Sequence, residues 1–383
     1  MNNSLKVQIH DNESGNIVIE ENEYIYSYQT EDKNNFISLT MPVRKKPYIH
    51  NKLLPIFEMH LPEGYLLSII KKHFSKIVKT DDFGLLKIMS HSINGRLTYQ
   101  NEEKKQLESL TLNDLIHPKS NNLFDELIDK FALSSALSGV QPKVLARVEN
   151  RATLKLDEYI VKSWGEEYPQ LALNEYYCMK VVQHANIPVS EFYLSDDDKL
   201  FIMKRFDILD TGNVLGFEDM CVLQAKQRDD KYNGSYEQIA KTIKTFTSNR
   251  KKKISLINFY KMIVINYLLQ NGDAHLKNFG LLYDGYENIW LAPSYDVICT
   301  TIYINNDVPA LNLLGSKKWW DKKFILKFGQ ESCQLTNKES NDYFNECLIA
   351  ITKVVYMIEE RLKYENNSQK TEVLRKLLDV IRG

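Results

Sequence analysis

A stretch of apolar residues at helical spacing, Ile257 to Leu269, runs into the polar segment Asn271-Gly272-Asp273-Ala274-His275-Leu276-Lys277-Asn278 and then into Phe279-Gly280-Leu281-Leu282-Tyr283. A helix therefore delivers a polar loop to a strand. Asp284-Gly285 is a strong hairpin signal, and the returning strand Asn288-Ile289-Trp290-Leu291 leads to Ser294-Tyr295-Asp296. The expected hairpin sets Asp296 beside the polar loop.

That arrangement suits phosphoryl transfer, which needs one carboxylate for the proton of an attacking hydroxyl and hard oxygen ligands to hold magnesium against ATP phosphates. Asp273 fits the first role, and Asn278 follows it at the Asp-to-Asn interval of the protein-kinase catalytic loop. Asp296 is the candidate second metal ligand, and Lys277 can offset charge on the transferred group. Asn-Gly-Asp by itself is an ordinary turn, and a lone Asp or Asn in a loop more often caps local backbone. The adjoining hairpin and Asp296 set this loop apart.

Two further elements are expected upstream, and both occur in order. Tyr159-Ile160-Val161-Lys162 is a β-prone run ending in a lysine that can present its ammonium to nucleotide phosphates. Its bland alternative is a strand-end lysine in solvent. Glu175 lies in the expected helix Leu171 to His184, where it can pair with Lys162 or be a solvated carboxylate. Ser138-Gly139-Val140-Gln141-Pro142-Lys143 has the small residues of an anion nest, without the Walker pattern or the three-glycine kinase loop. Phe201 to Asp207 contains Lys204-Arg205-Phe206 at the expected junction of two lobes, where backbone groups can meet an adenine edge; a buried strand is the plain alternative.

A chain of 383 residues exceeds the ~250–300 at which one core stops growing, so two or three domain-sized units are expected. Residues 1–110 look β-rich, with runs at Ile17-Val18-Ile19 and Tyr24 to Tyr28, a helix starting near Pro62 within Phe57 to Phe74, and another at Gly84 to Ser90. Asn101 to Ser120 is polar and serves as the expected boundary. A helix at Leu123 to Phe131, strands at Val144 to Val148 and Tyr159 to Val161, and a hairpin turning at Asp196-Asp197-Asp198 follow. From Phe217 the pattern becomes mostly helical. The expected units are 1–110, 111–216 and 217–383.

Lys and Arg number 49 against 50 Asp and Glu, so no overall field argues for nucleic acid. The basic runs Arg44 to Lys46 and Arg250 to Lys253 are expected to be solvated loops. Five scattered cysteines lack zinc or disulfide spacing and read as reduced thiols of a cytoplasmic protein. The longest apolar run, Met262 to Leu269, falls short of the ~18 residues a membrane span needs, so no membrane role is expected.

Together these residues make the chain resemble the HipA family of kinases, the toxins of HipBA-type toxin–antitoxin systems. The resemblance rests on PIFEMHLPEGYL (Pro55 to Leu66), SGVQPK (Ser138 to Lys143), IVK (Ile160 to Lys162), NEYYC (Asn174 to Cys178) and RFD (Arg205 to Asp207). EDMC (Glu218 to Cys221), NGDAHLKNFG (Asn271 to Gly280) and SYD (Ser294 to Asp296) complete it. The family implies an α+β, two-lobed fold similar to protein and phosphoinositide kinases, with a β-rich amino-terminal accessory unit and a helical carboxy-terminal lobe. It implies an ATP- and magnesium-dependent serine/threonine kinase with Asp273 as catalytic aspartate and Asn278 and Asp296 as metal ligands. Ser138 to Lys143, Lys162, Lys204 to Phe206, His275 to Asn278 and Tyr295-Asp296 would then contact the nucleotide.

Relatives phosphorylate an aminoacyl-tRNA synthetase, arrest growth, and are neutralised by a small helix-turn-helix antitoxin (HipB-like) that binds operator DNA. The balanced charge agrees with DNA being met through that partner. Where the family carries an inhibitory autophosphorylation serine this chain has Ala136, which leaves Ser138, with Ser134 and Ser135 nearby, as candidate hydroxyls. The interval from Lys162 to Glu175 is short for the family. A catalytically silent nucleotide- or antitoxin-binding module and a small-molecule kinase are the competing functions; the intact Asp273, Asn278 and Asp296 weigh against the first.

Overall fold

The computed structural model describes residues 4–61, 81–90, 93–100, 111–120, 123, 143–150, 155–163 and 168–383, with backbone alone at 143–150 and 155–158. The expected helix from Pro62, the one over Leu123 to Phe131 except for Leu123 itself, and the segment Ser134 to Pro142 lie outside the described residues.

Five strands form an antiparallel sheet in the order β4-β3-β2-β1-β5: β1 (Ser4–Ile9), β2 (Asn12–Glu20), β3 (Glu23–Tyr28), β4 (Tyr48–His50) and β5 (Leu97–Tyr99). The pairs His10-Asp11 and Glu21-Asn22 turn the first two hairpins, all four residues at positive φ as a type I′ turn requires. The helix Asp82–Met89 is capped by Asp81, whose Oδ1 accepts from the Gly84 N–H at 2.8 Å. The polar boundary segment holds a helix that composition hid, Leu112–Ile116, started by a reciprocal cap between Thr111 and Asp114.

A second sheet runs β6-β7-β9-β8, from β6 (Lys143–Asn150), β7 (Lys155–Lys162), β8 (Phe192–Leu194) and β9 (Phe201–Lys204). Its side chains alternate between two cores, as a period of two dictates. Leu200 and Ile202 join the core of the amino-terminal sheet, with Val7, Ile17 and Phe57. Phe201 and Met203 face the other way, into the core built on the helix Leu171–His184. This sheet is therefore a wall shared by the amino-terminal unit and the rest.

The remainder is helical, as expected, but it also carries a three-stranded sheet, β10 (Gly216–Asp219), β11 (Gly280–Tyr283) and β12 (Ile289–Leu291). β10 escapes local pattern because it is only an added edge on the predicted hairpin. Gly280 is needed there: a Cβ would lie 2.4 Å from the Phe217 ring and 2.8 Å from the Glu218 carbonyl oxygen. The longer helices are Tyr236–Phe246, Asn249–Leu268, Lys322–Cys333, Asn337–Leu362 and Ser368–Arg382. Arg250 to Lys253 form the first turns of the second of these, where a loop was expected, and Lys253 pairs with Glu339 at 2.9 Å. All five cysteines are buried free thiols. No helix among the described residues is long and apolar enough to cross a membrane.

Two buried carboxyls tie the amino-terminal unit to the helical lobe. Glu218 accepts from Ser38 Oγ (2.7 Å), the Leu39 N–H (2.8 Å) and Tyr283 Oη (2.8 Å). Glu58 accepts from the Arg228 N–H at 2.7 Å, while the Arg228 guanidinium reaches Asp82 at 2.9 Å. Burial pushes Glu218 up from 4.5 to about 7, against the pull of those hydrogen bonds and of Arg96. Burial likewise raises Glu58 to about 7, against Arg228.

Because the folded protein then holds a proton that the unfolded chain has released, this stabilisation is complete below pH 4.5 and disappears as the pH rises through about 7. Glu218→Gln is expected to flatten the decline in stability across that interval by on the order of 3 kcal/mol, measured by denaturant unfolding at several pH values. Identical slopes for the two proteins would refute the assignment.

Candidate active site

Strand β7 ends at Lys162, and backbone pairing sets it opposite Lys143 of β6 and Phe201 of β9. Its side chain is 5% exposed, so it is not a solvated strand-end lysine. The ammonium donates to Glu175 Oε1 at 2.6 Å and also to Asp296 Oδ1. Glu175 comes from the second turn of the helix Leu171–His184 and is fully buried. The short interval between Lys162 and Glu175 therefore does not prevent their pairing. A buried cation between two carboxylates satisfies the rule that interior charges are paired.

Asp296 reaches this cluster after the β11–β12 hairpin. Its φ of 56° is in the left-handed region, an uncommon setting that turns its carboxylate to Lys162. Asn278, Tyr295 and Asp296 lie together with Asn271, Ser294 and Met262. Tyr295 Oη donates to the Lys277 carbonyl at 2.8 Å, which joins the hairpin's return to the polar loop.

The polar loop itself is held by its own amides. Asn271 Nδ2 donates to Asn266 Oδ1 at 2.7 Å, and Asn271 Oδ1 accepts from the Asp273 N–H at 3.1 Å. Thr300 Oγ1 accepts from the Gly272 N–H at 2.7 Å and in turn donates to Asp307. A Cβ on Gly272 would sit 2.0 Å from the Asp307 carboxylate, so a side chain there would push this latch aside. Asn278 Oδ1 accepts from the His275 N–H at 3.0 Å and caps the 3₁₀ turn Leu276–Asn278. Capping uses one lone pair and leaves the other, so capper and metal ligand are compatible roles for it.

Asp273 has a side chain 39% exposed, facing the loop before the helix Tyr236–Phe246. Tyr232 Oη donates to its Oδ1 at 2.7 Å, and His275 Nε2 lies 4.0 Å from the same oxygen. At the lobe junction, Phe206 packs its ring 5.5 Å from that of Tyr295, while Arg205 makes a two-pronged pair with Asp207. Lys204 Nζ lies at the rim, 3.4 Å from Asp210 and 4.0 Å from Glu191. Ser138 to Pro142, and with them Ser134 and Ser135, are outside the described residues.

The site thus brings Lys162, Glu175 and Asp296 into one cluster, with Asn278 and Tyr295 gathered near Asp296. Local pattern gave no sign of two contacts, Lys162 with Asp296 and Tyr232 with Asp273. The Lys162–Asp296 contact spans 134 positions, and Tyr232 sits in an unremarkable polar turn.

A family model described as the HipA-like C-terminal domain matches residues 135–355, more than half of the chain, and one described as the HipA N-terminal domain matches residues 5–100. The chain belongs to the HipA family. Its backbone superposes, with TM-score 0.71, on a chain of the Shewanella oneidensis MR-1 toxin–antitoxin complex of HipA, HipB and its operator DNA, covering 99% of this chain and 96% of that one at 16% identity. That likeness establishes the fold, α+β and two-lobed in the kinase manner. This HipA-family chain is also 26% identical over 288 residues to "Putative kinase Y4dM" of Sinorhizobium fredii, covering 69% of this chain and 66% of that one. It is 30% identical over 205 residues to a "Putative kinase" of Haemophilus influenzae, covering 48% of this chain and 59% of that one. It therefore spans less than two thirds of the length of either relative.

Proposed function

We propose that this HipA-family chain is a kinase that transfers the γ-phosphoryl group of ATP to a serine or threonine hydroxyl of a protein. One observation carries the proposal: the buried Lys162 ammonium is shared between Glu175 on a helix and Asp296 after the distant hairpin. A lysine so held is a fixed positive charge for nucleotide phosphates. Asp273, partly exposed in the chain's polar loop, takes the proton of the attacking hydroxyl, and Lys277 offsets charge on the phosphoryl group. Ser138 to Lys143 supply the phosphate loop, and Lys204 to Phe206 and His275 the remaining nucleotide contacts.

Asn278 and Asp296 offer amide and carboxylate oxygens, hard donors that fit a magnesium ion completing its shell with phosphate oxygens and water. When bound, the ion would neutralise charge developing on the phosphates. The units 1–110, 111–216 and 217–383 serve as accessory unit, strand lobe and helical lobe. As toxin of a type II toxin–antitoxin system in the cytoplasm, the chain would pair with a helix-turn-helix antitoxin, as HipA does with HipB in the Shewanella complex, and meet DNA through it. Its substrate is a translation component such as an aminoacyl-tRNA synthetase.

Incubating the protein and its Asp273→Ala form with γ-labelled ATP in a cell lysate tests this. A labelled protein band with the unaltered chain alone is the expected result. A labelled metabolite instead would make it a small-molecule kinase, and nucleotide binding without any label would make it a silent module. We further infer autophosphorylation at Ser138, where a phosphate would repel ATP from the loop. Peptide mass analysis after ATP incubation should find one added phosphate there; none at Ser134, Ser135 or Ser138 would end that idea.

A further inference from the structure

We propose that the Tyr232 hydroxyl occupies the place of the acceptor hydroxyl at Asp273 and is a positioning residue that keeps water from that place until a protein acceptor displaces it. The inference rests on the kinase function proposed above. An acceptor alcohol must come within about 2.6–3.2 Å of its general base. Tyr232 Oη already stands 2.7 Å from Asp273 Oδ1, with its proton directed at the carboxylate.

The phenol is built into this position. Its ring meets His275 edge-on, with centroids 5.1 Å apart, and Lys231 Nζ lies 5.4 Å above it. The Leu276 N–H of the polar loop donates to the Lys231 carbonyl at 3.0 Å, and Lys317 Nζ donates to the Tyr232 carbonyl at 3.3 Å. Four residues earlier, Arg228 is fixed by Glu58 and Asp82 of the amino-terminal unit. Tyr232 therefore sits on a strut that runs from the accessory unit to the polar loop.

Asp273 is partly exposed, so without the phenol a water would take the same hydrogen bond. That water is a reactive alternative to the acceptor. Its oxygen would bond to the γ-phosphorus while the bond to the bridging oxygen breaks, the electron pair leaves on the nucleoside diphosphate, and the water proton passes to Asp273. A protein acceptor brings further contacts with which to displace the phenol, and a single water does not.

The test compares the full chain with Tyr232→Phe, measuring phosphate release from ATP without acceptor and label transfer into lysate proteins. The ratio of hydrolysis to transfer is expected to rise roughly tenfold, equivalent to about 1.4 kcal/mol for one hydrogen bond to a carboxylate. Tyr232→Ala, checked for an intact melting transition, should raise it at least as far. An unchanged ratio, or hydrolysis and transfer falling together, would overturn the proposal and leave the kinase function standing. Phosphate found on Tyr232 itself would also overturn it, since the phenol would then be an acceptor. If neither protein turns over ATP, the kinase function fails and this inference with it.

Discussion

Lys162→Met is expected to destabilise the protein by about 3–5 kcal/mol and to lower phosphoryl transfer by about 10²–10³-fold. The stability loss follows from Glu175, which is fully buried and would lose the ammonium that balances its charge. The catalytic loss has a different origin, the missing charge opposite the phosphates. Adding Glu175→Leu separates them. With both of these charges gone, Asp296, its side chain 18% exposed, is the one carboxylate of the cluster that remains, and replacing a buried ion pair by hydrophobic groups is often neutral. The double variant should therefore regain most of its resistance to denaturant while remaining inactive. Recovery of transfer along with stability would show that Lys162 holds the fold only.

Asp273→Asn is the second large effect, a loss of about 10²–10⁴-fold in transfer, the span typical for removing a general base. The amide keeps the shape of the side chain and can still accept from Tyr232, so the fold and ATP affinity should be retained. The position is partly exposed and lies outside the Lys162 cluster. Activity measured alongside nucleotide binding checks this; a parallel loss of both would assign Asp273 to binding or to structure.

What could be foreseen from the residues follows the range of the forces involved. The helix Leu171–His184 and the β11–β12 hairpin were legible because apolar spacing and Asp284-Gly285 act over a few residues. Lys162 and Glu175 could be paired in advance because a strand end and a nearby helix are short-range neighbours. The same local logic failed at Leu112–Ile116, where polar composition concealed a helix fixed by the Thr111–Asp114 cap. It also placed Arg250 to Lys253 in a loop, although charged residues suit an exposed first turn equally well.

Long-range contacts had no local signature at all. Ser38 meets Glu218 across 180 positions and Arg228 meets Glu58 across 170, so the docking of the accessory unit emerges only from the folded chain. Tyr232 was hidden for a related reason. Its turn is ordinary until the loop 41 positions later folds back against it.

The central claim is that Lys162, Asn278 and Asp296 form a nucleotide site that works with magnesium. ATP affinity measured by titration calorimetry, with and without magnesium, tests it most directly when the unaltered chain is compared with Asp296→Asn. The expected result is binding that tightens with magnesium in the unaltered chain and no longer does so in the variant, both proteins remaining folded. Absence of ATP binding, or an affinity indifferent to magnesium in the unaltered chain, would contradict it.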